Sequence, residues 1–288
     1  MIKLITDATC DYSKDYYEKN NIELIPMSIT LEGETFIDDK NVNLNEFYEK
    51  LRKGKKPTTS MISPNIYEEV FEKHLKNGDD VLYIGFSSGL SGCYNASVMA
   101  KKSLEEKYDN KIYCLDSLSA SQGMGILLDE ALKMIAENKS LEEICNHLEN
   151  LKHRLCILLG VENLFHLERG GRINKAQAII GTTLNLKPII KVNEEGKLLS
   201  FKKLIGRKKM ELTLQNYVIN YVDPNFIDKI FIISGNSDND AEELKAKIDE
   251  RLNTNTHIVE LGTIIGNHTG NGSLAVIFVS KTNVEEIK

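Results

Sequence analysis

"VLYIGFSSGLSGCYNA", Val81 to Ala96, decides the fold. An apolar run of strand character ends near Phe86, and a helical pattern begins near Tyr94. Between them lie three serines and two glycines. A strand that feeds a helix through a short loop is the opening of a parallel crossover unit. Small residues let the backbone come close to a partner and, at Gly89 and Gly92, permit positive φ. The serines add hydroxyls that both donate and accept. A loop of this kind suits a carboxylate or a phosphate, and it also reads as a glycine turn with a serine cap.

Outward from this stretch the same alternation recurs. "KLIT", "IELIPMSI" and "KIYCLD" read as buried strands. "IYEEVFEKHLK" reads as a helix with Ile66, Val70 and Leu75 near one face. "GILLDEALKMIAE" and "LEEICNHLENLKHRL" are helical, the second capped by Ser140 with Glu143 three residues on. In the second half, "NEEG" separates two apolar runs and marks a hairpin. A helix across "KKMELTLQNYVINYV" follows, then "KIFIISG", the helix "DAEELKAKIDERL", and the strands "HIVEL" and "LAVIFV". The fold class is therefore two α/β domains: the first, 1–155, with a mainly parallel sheet and flanking helices, the second, 156–288, with a mixed sheet. The boundary falls near "LCILLG".

Composition narrows the function. The 288 residues carry a net charge of −6, which excludes a general nucleic-acid binder, because phosphate neutralisation needs clustered Lys and Arg. No apolar run reaches the length of a membrane span. The five cysteines form no CxxC pair and read as reduced thiols of a cytoplasmic protein. There is no Gly-Lys-Ser/Thr phosphate loop, no G-x-G-x-x-G after the first strand, no G-x-S-x-G and no H-E-x-x-H. No metal site is expected.

Four further stretches carry candidate chemistry. "TDATCD" (6–11) follows the first strand, where open α/β sheets bind ligands, and equally suits a cap or turn. "KPTTSMISP" offers four hydroxyls ahead of a helix, either to cap it through Ser63 or to hold an anion. "HLERGGRIN" sets Arg169 and Arg172 about two glycines, fit to grip an anion, to face a partner, or to stand solvated. "GNHTGNG" leaves His268 among glycines, either hydrogen-bonded to a carboxylate or structural.

In this order, "TDATCD", "TTSMISP", "SSGLSGCYNA", "LDSLSASQGMG", "LERGGRIN", "LKPII" with "GRKK", and "GNHTGNG" closely resemble the DegV family of bacterial fatty-acid-binding proteins. The resemblance implies a fatty acid buried between two α/β domains, its carboxylate held at Thr59, Ser91 and His268. Ser60, Gly92 and Thr269 lie in the same motifs, and Arg169 or Arg172 supplies the inward arginine. It implies a lipid-binding carrier without catalytic residues, cofactor or metal. Its partners would be a long-chain fatty acid and a fatty acid kinase that phosphorylates the carboxylate, with transient membrane contact and no nucleic acid. The acyl phosphate so formed would be a phospholipid precursor. Departures from the pattern are Ala8, Met61, Ile62, Cys93 and Asn271. A self-sufficient kinase or hydrolase using Ser91 as nucleophile and His268 as base, with Asp7 or Asp116 to orient it, is the alternative. A lipid-sensing regulator is a third.

Overall fold

Strands rich in Ile, Leu, Val and Tyr form the first sheet. These are β1 (Ile2–Asp7), β2 (Glu23–Ile25), β6 (Asp80–Gly85) and β7 (Ile112–Asp116) in a computed structural model that describes residues 1–38, 40, 42–174 and 185–288. They lie in the order β2-β1-β6-β7, all parallel. Both faces are buried, as a parallel sheet requires. Leu4, Leu82 and Ile84 point to one side, Ile5, Val81 and Tyr83 to the other. Helices Pro64–Leu75 and Cys93–Glu105 cover the second face, and helices Gln122–Ala136 and Leu141–Leu151 belong to the first. The Ser140–Glu143 capping box forms as expected, each side chain bonding the other's backbone N–H.

"IELIPMSI" is two strands rather than one. Pro26 lacks an N–H and breaks the ladder after Ile25. The chain then leaves the parallel sheet as β3 (Met27–Leu31), turns tightly, and returns as β4 (Glu34–Asp38). With β5 (Thr58–Ser60) these make a three-stranded antiparallel sheet in the order β4-β3-β5. The buried face of helix Pro64–Leu75 is also rotated from the expected one. Tyr67, Phe71 and Leu75 are buried, whereas Ile66 is 43% exposed. Two aromatic rings outweigh one isoleucine, since each buries enough apolar area to contribute about 1.5–3 kcal/mol.

The second sheet has six strands. They are β8 (Leu155–Gly160), β9 (Leu186–Val192), β10 (Leu198–Ile205), β11 (Phe231–Gly235), β12 (His257–Glu260) and β13 (Ser273–Val279). Their order is β10-β9-β8-β13-β11-β12, with the β11–β12 pair parallel and the rest antiparallel. The hairpin at "NEEG" forms, with Asn193 Oδ1 accepting from Glu195 and Lys197 N–H. The two-residue period sorts the sheet's faces cleanly. Cys156, Leu158, Leu274, Val276 and Phe278 pack with Met210, Leu214 and Val218 of helix Arg207–Tyr221. Ile157, Leu159, Ala275 and Ile277 face the core that also holds Leu82 and Ile84 of the first sheet. That shared core joins the two halves. All five cysteines are buried and unpaired, and no helix among the described residues is long and apolar enough to cross a membrane.

Candidate functional site

An apolar cavity opens within this shared core. Ile157, Leu159, Ile190, Val192 and Ile277 of the six-stranded sheet form its floor, while Phe86 and Leu90 of the serine loop cover it. It has about 710 Å³ of atom-free space but is thin, with about 70 Å³ wide enough to take the centre of a water molecule. His268, Thr269, Arg172 and Ser273 give it one polar end.

The "GNHTG" stretch is helical rather than a bare glycine loop. His268 lies in the last turn of helix Thr263–Thr269, which Gly270 ends. Its Nε2 is 3.0 Å from Thr59 Oγ1, so a strand of the small sheet meets a helix of the second half. Its Nδ1 is buried and bonds no described residue. Burial, then the Arg172, Arg169 and His166 charges, push its pKa from 6.5 down to about 4. The ring is neutral near pH 7 and can donate from one nitrogen only.

Thr59 stands opposite Ile29 in the small sheet. Strand alternation turns Ser60 to the other face, where it is exposed. The serine loop is fixed at both ends. Its backbone leaves β6 against Asp7, whose Oδ2 accepts from Phe86 N at 3.1 Å, and Asp116 Oδ1 accepts from Ser88 N at 3.1 Å. Ser87 Oγ donates to Gly196 O at 2.8 Å, which seats the loop on the β9–β10 turn. Neither Gly89 nor Gly92 adopts a positive φ. Gly89 serves close approach instead, because a Cβ there would meet Glu195 O at 2.7 Å. Gly92 caps helix Cys93–Glu105, beside Met61. Ser91 Oγ accepts from Cys93 N at 3.3 Å and lies 3.2 Å from Cys93 Sγ.

The two arginines separate. Arg172 lines the cavity and donates through Nε to Leu90 O at 3.2 Å. Arg169 is exposed and bonds His166 Nδ1 and Asn267 O. Arg172 is thus the inward member of the pair. Thr269 Oγ1 bonds Ser273 Oγ at 3.1 Å, and both line the polar end. Of the expected residues, Thr59 and His268 are joined directly, and Arg172 and Thr269 share the cavity wall with His268. Ser91 bonds Cys93 and His268 bonds Thr59, so no Ser–His hydrogen bond forms. Asp7 and Asp116 are both committed to backbone groups away from the imidazole. Ser63 begins helix Pro64–Leu75 without a side-chain cap bond. Among the described residues no three His, Cys, Asp or Glu side chains converge as a metal site needs.

Ser273, His166 and Asn267 went unnoticed in the sequence. Asn267 in "GNHTG" and His166 in "HLERGGRIN" lay inside motifs already singled out, while Ser273 lay just outside one. The "RGG" glycines also have a local reason. A Cβ on Gly170 would come 2.2 Å from His268 Nδ1. Gly170→Ala is therefore expected to swing the imidazole away from Thr59 and weaken anion binding about tenfold or more. Isothermal titration with an alkyl carboxylate checks this, and equal affinities would refute the close fit.

Comparison with known proteins agrees with this fold. The family model described as "Uncharacterised protein, DegV family" matches residues 1–281. A DegV domain-containing protein from Clostridium perfringens is 37% identical over 284 residues, covering 97% of each chain. A fatty acid binding DegV family protein from Streptococcus agalactiae has the same fold, with a TM-score of 0.86 at 27% identity, over 98% of this chain and 99% of its own. DegV from Bacillus subtilis, a fatty acid binding protein, gives 0.84 at 27% identity, over 97% and 99%.

Proposed function

The chain belongs to the DegV family, and from that premise we propose that it binds a long-chain fatty acid with its alkyl tail in the cavity and its carboxylate at Thr59, Ser91 and His268. The observation that carries this reading is one apolar cavity with a polar end where two remote segments meet, Thr59 on His268. An alkyl chain of about sixteen carbons gains roughly 12 kcal/mol gross on leaving water, before association and ordering costs. The head group opposes this, since an unpartnered buried carboxylate is strongly penalised. The Ser91 hydroxyl and the one proton that the Thr59–His268 pair does not share between its members replace its water, and the Arg172 guanidinium beside the polar end favours its charge. Gly92, Thr269 and Arg169 belong to the same proposed end as backbone and outer support, whereas Ser60 lies on the opposite strand face.

The cavity is too thin for the tail as it stands, so lining side chains such as Phe86 and Leu90 move aside on loading. The bound acid is then presented to a separate fatty acid kinase, which phosphorylates its carboxylate, while this chain acts as carrier. Native mass spectrometry tests the first step. Protein incubated with palmitate or stearate is expected to gain one acyl mass. Thr59→Ala, which removes one hydrogen bond to an anion, should lower retention about tenfold to a hundredfold. No loading at all would sink the reading.

A further inference from the structure

The cavity has a polar group that the head-group site does not use. Ser121 lines it, is 4% exposed, and its Oγ bonds no described residue. The residue holds φ +52 and ψ −132, a conformation that side-chain-bearing residues rarely adopt. It stands just before helix Gln122–Ala136, whose first turn has no side-chain cap. Its own N–H is spent on Thr9 O at 2.9 Å.

Behind it lies Asp11, with a side chain 2% exposed. Asp11 Oδ1 accepts from Gly262 N and Lys40 Nζ, and Oδ2 bonds nothing described. Burial raises the Asp11 pKa, and Lys40 and then the Ser121 hydroxyl oppose that rise. Neither Ser121 Oγ nor Asp11 Oδ2 bonds any described residue. The Ser121 hydroxyl can both donate and accept, and in the cavity it needs a polar partner. A plain methylene supplies none and leaves the oxygen desolvated and unpaired.

We propose that Ser121 is a subsite for a hydroxyl borne on the acyl chain, so that the cavity favours a hydroxylated fatty acid over the unsubstituted one. This rests on the fatty-acid reading above and names its substrate class more closely. A ligand O–H can both donate to and accept from Ser121 Oγ, whereas a keto group can only accept from it.

The test is competition read by native mass spectrometry. Wild-type protein is offered stearate against monohydroxystearates with the hydroxyl stepped along the chain, and against the matching oxostearates. One hydroxyl position is expected to win over stearate by about tenfold, and its oxo counterpart, which can only accept, to gain less. Ser121→Ala, and Ser121→Gly, which also relaxes the backbone, should bring that ratio to one or below. If stearate matches every hydroxy isomer in the wild type, Ser121 is served by water and the proposal is wrong. A preference that survives both variants overturns it too. Failure to load stearate or any isomer would count against the carrier reading itself, a separate result.

Discussion

Asp7→Ala is expected to cost about 4 kcal/mol or more of folding stability, enough to leave much of the protein unfolded at 37 °C. Asp7 is fully buried. Its Oδ2 accepts from Tyr83 Oη at 2.6 Å and Phe86 N at 3.1 Å, and its Oδ1 from Thr9 N at 3.0 Å and the Thr9 hydroxyl. Tyr83 Oη in turn meets Tyr67 Oη at 2.9 Å, also in the interior. Removing the carboxyl strands these donors where water does not reach, and each stranded donor costs about 1–3 kcal/mol. Asp7→Asn keeps an oxygen for one side but points an amide N–H₂ at donors on the other, so about half the loss is expected. Urea unfolding followed by circular dichroism measures both. A midpoint for Asp7→Ala equivalent to less than about 1 kcal/mol below wild type would refute the anchoring role.

The second large effect is on pH. The His268 imidazole is held from 6.5 down to about 4, chiefly by burial and then by its cationic neighbours. The unfolded chain takes up a proton as pH falls through 6.5, while the folded chain stays neutral until about 4. Stability from this residue is therefore full above pH 6.5 and drains away between 6.5 and 4, by about 3 kcal/mol in all. His268→Gln removes that slope. Subtracting its stability profile from the wild-type one isolates it from other acid-sensitive groups. Parallel profiles from pH 7 to 4 would show that the ring is not held neutral. A bound carboxylate beside the imidazole favours its protonated form, so loading with fatty acid should shrink the difference.

Much of this arrangement was written in local pattern. The parallel sheet followed from buried runs that end in loops and helices, and the β9–β10 hairpin from "NEEG". The Ser140 cap also forms as its motif led one to expect, whereas the pairing of Thr59 with His268 was suggested by family resemblance and by no local pattern. What escaped has particular causes. Pro26 split one apolar run between two sheets, because a missing N–H weighs more than hydrophobicity. Helix Pro64–Leu75 rotated its buried face because Tyr67 and Phe71 have more surface to hide than Ile66. "TDATCD" read equally as a ligand-binding turn and as a cap, and Asp7 serves instead as an internal anchor, since it finds its donors on Phe86 and Tyr83, far along the chain. Choosing between Arg169 and Arg172 needed the position of Leu90, which no spacing reveals.

One consequence lies in the place of β13. It comes after every other strand in chain order, yet it sits between β8 and β11 in the middle of its sheet. During synthesis, at about 5–20 residues per second, β8 and β11 must wait with bare edges for it to leave the ribosome. His268 reaches Thr59 only in the same late interval, across 209 residues. The half-made sheet needs shielding from neighbours until the final strand slots in.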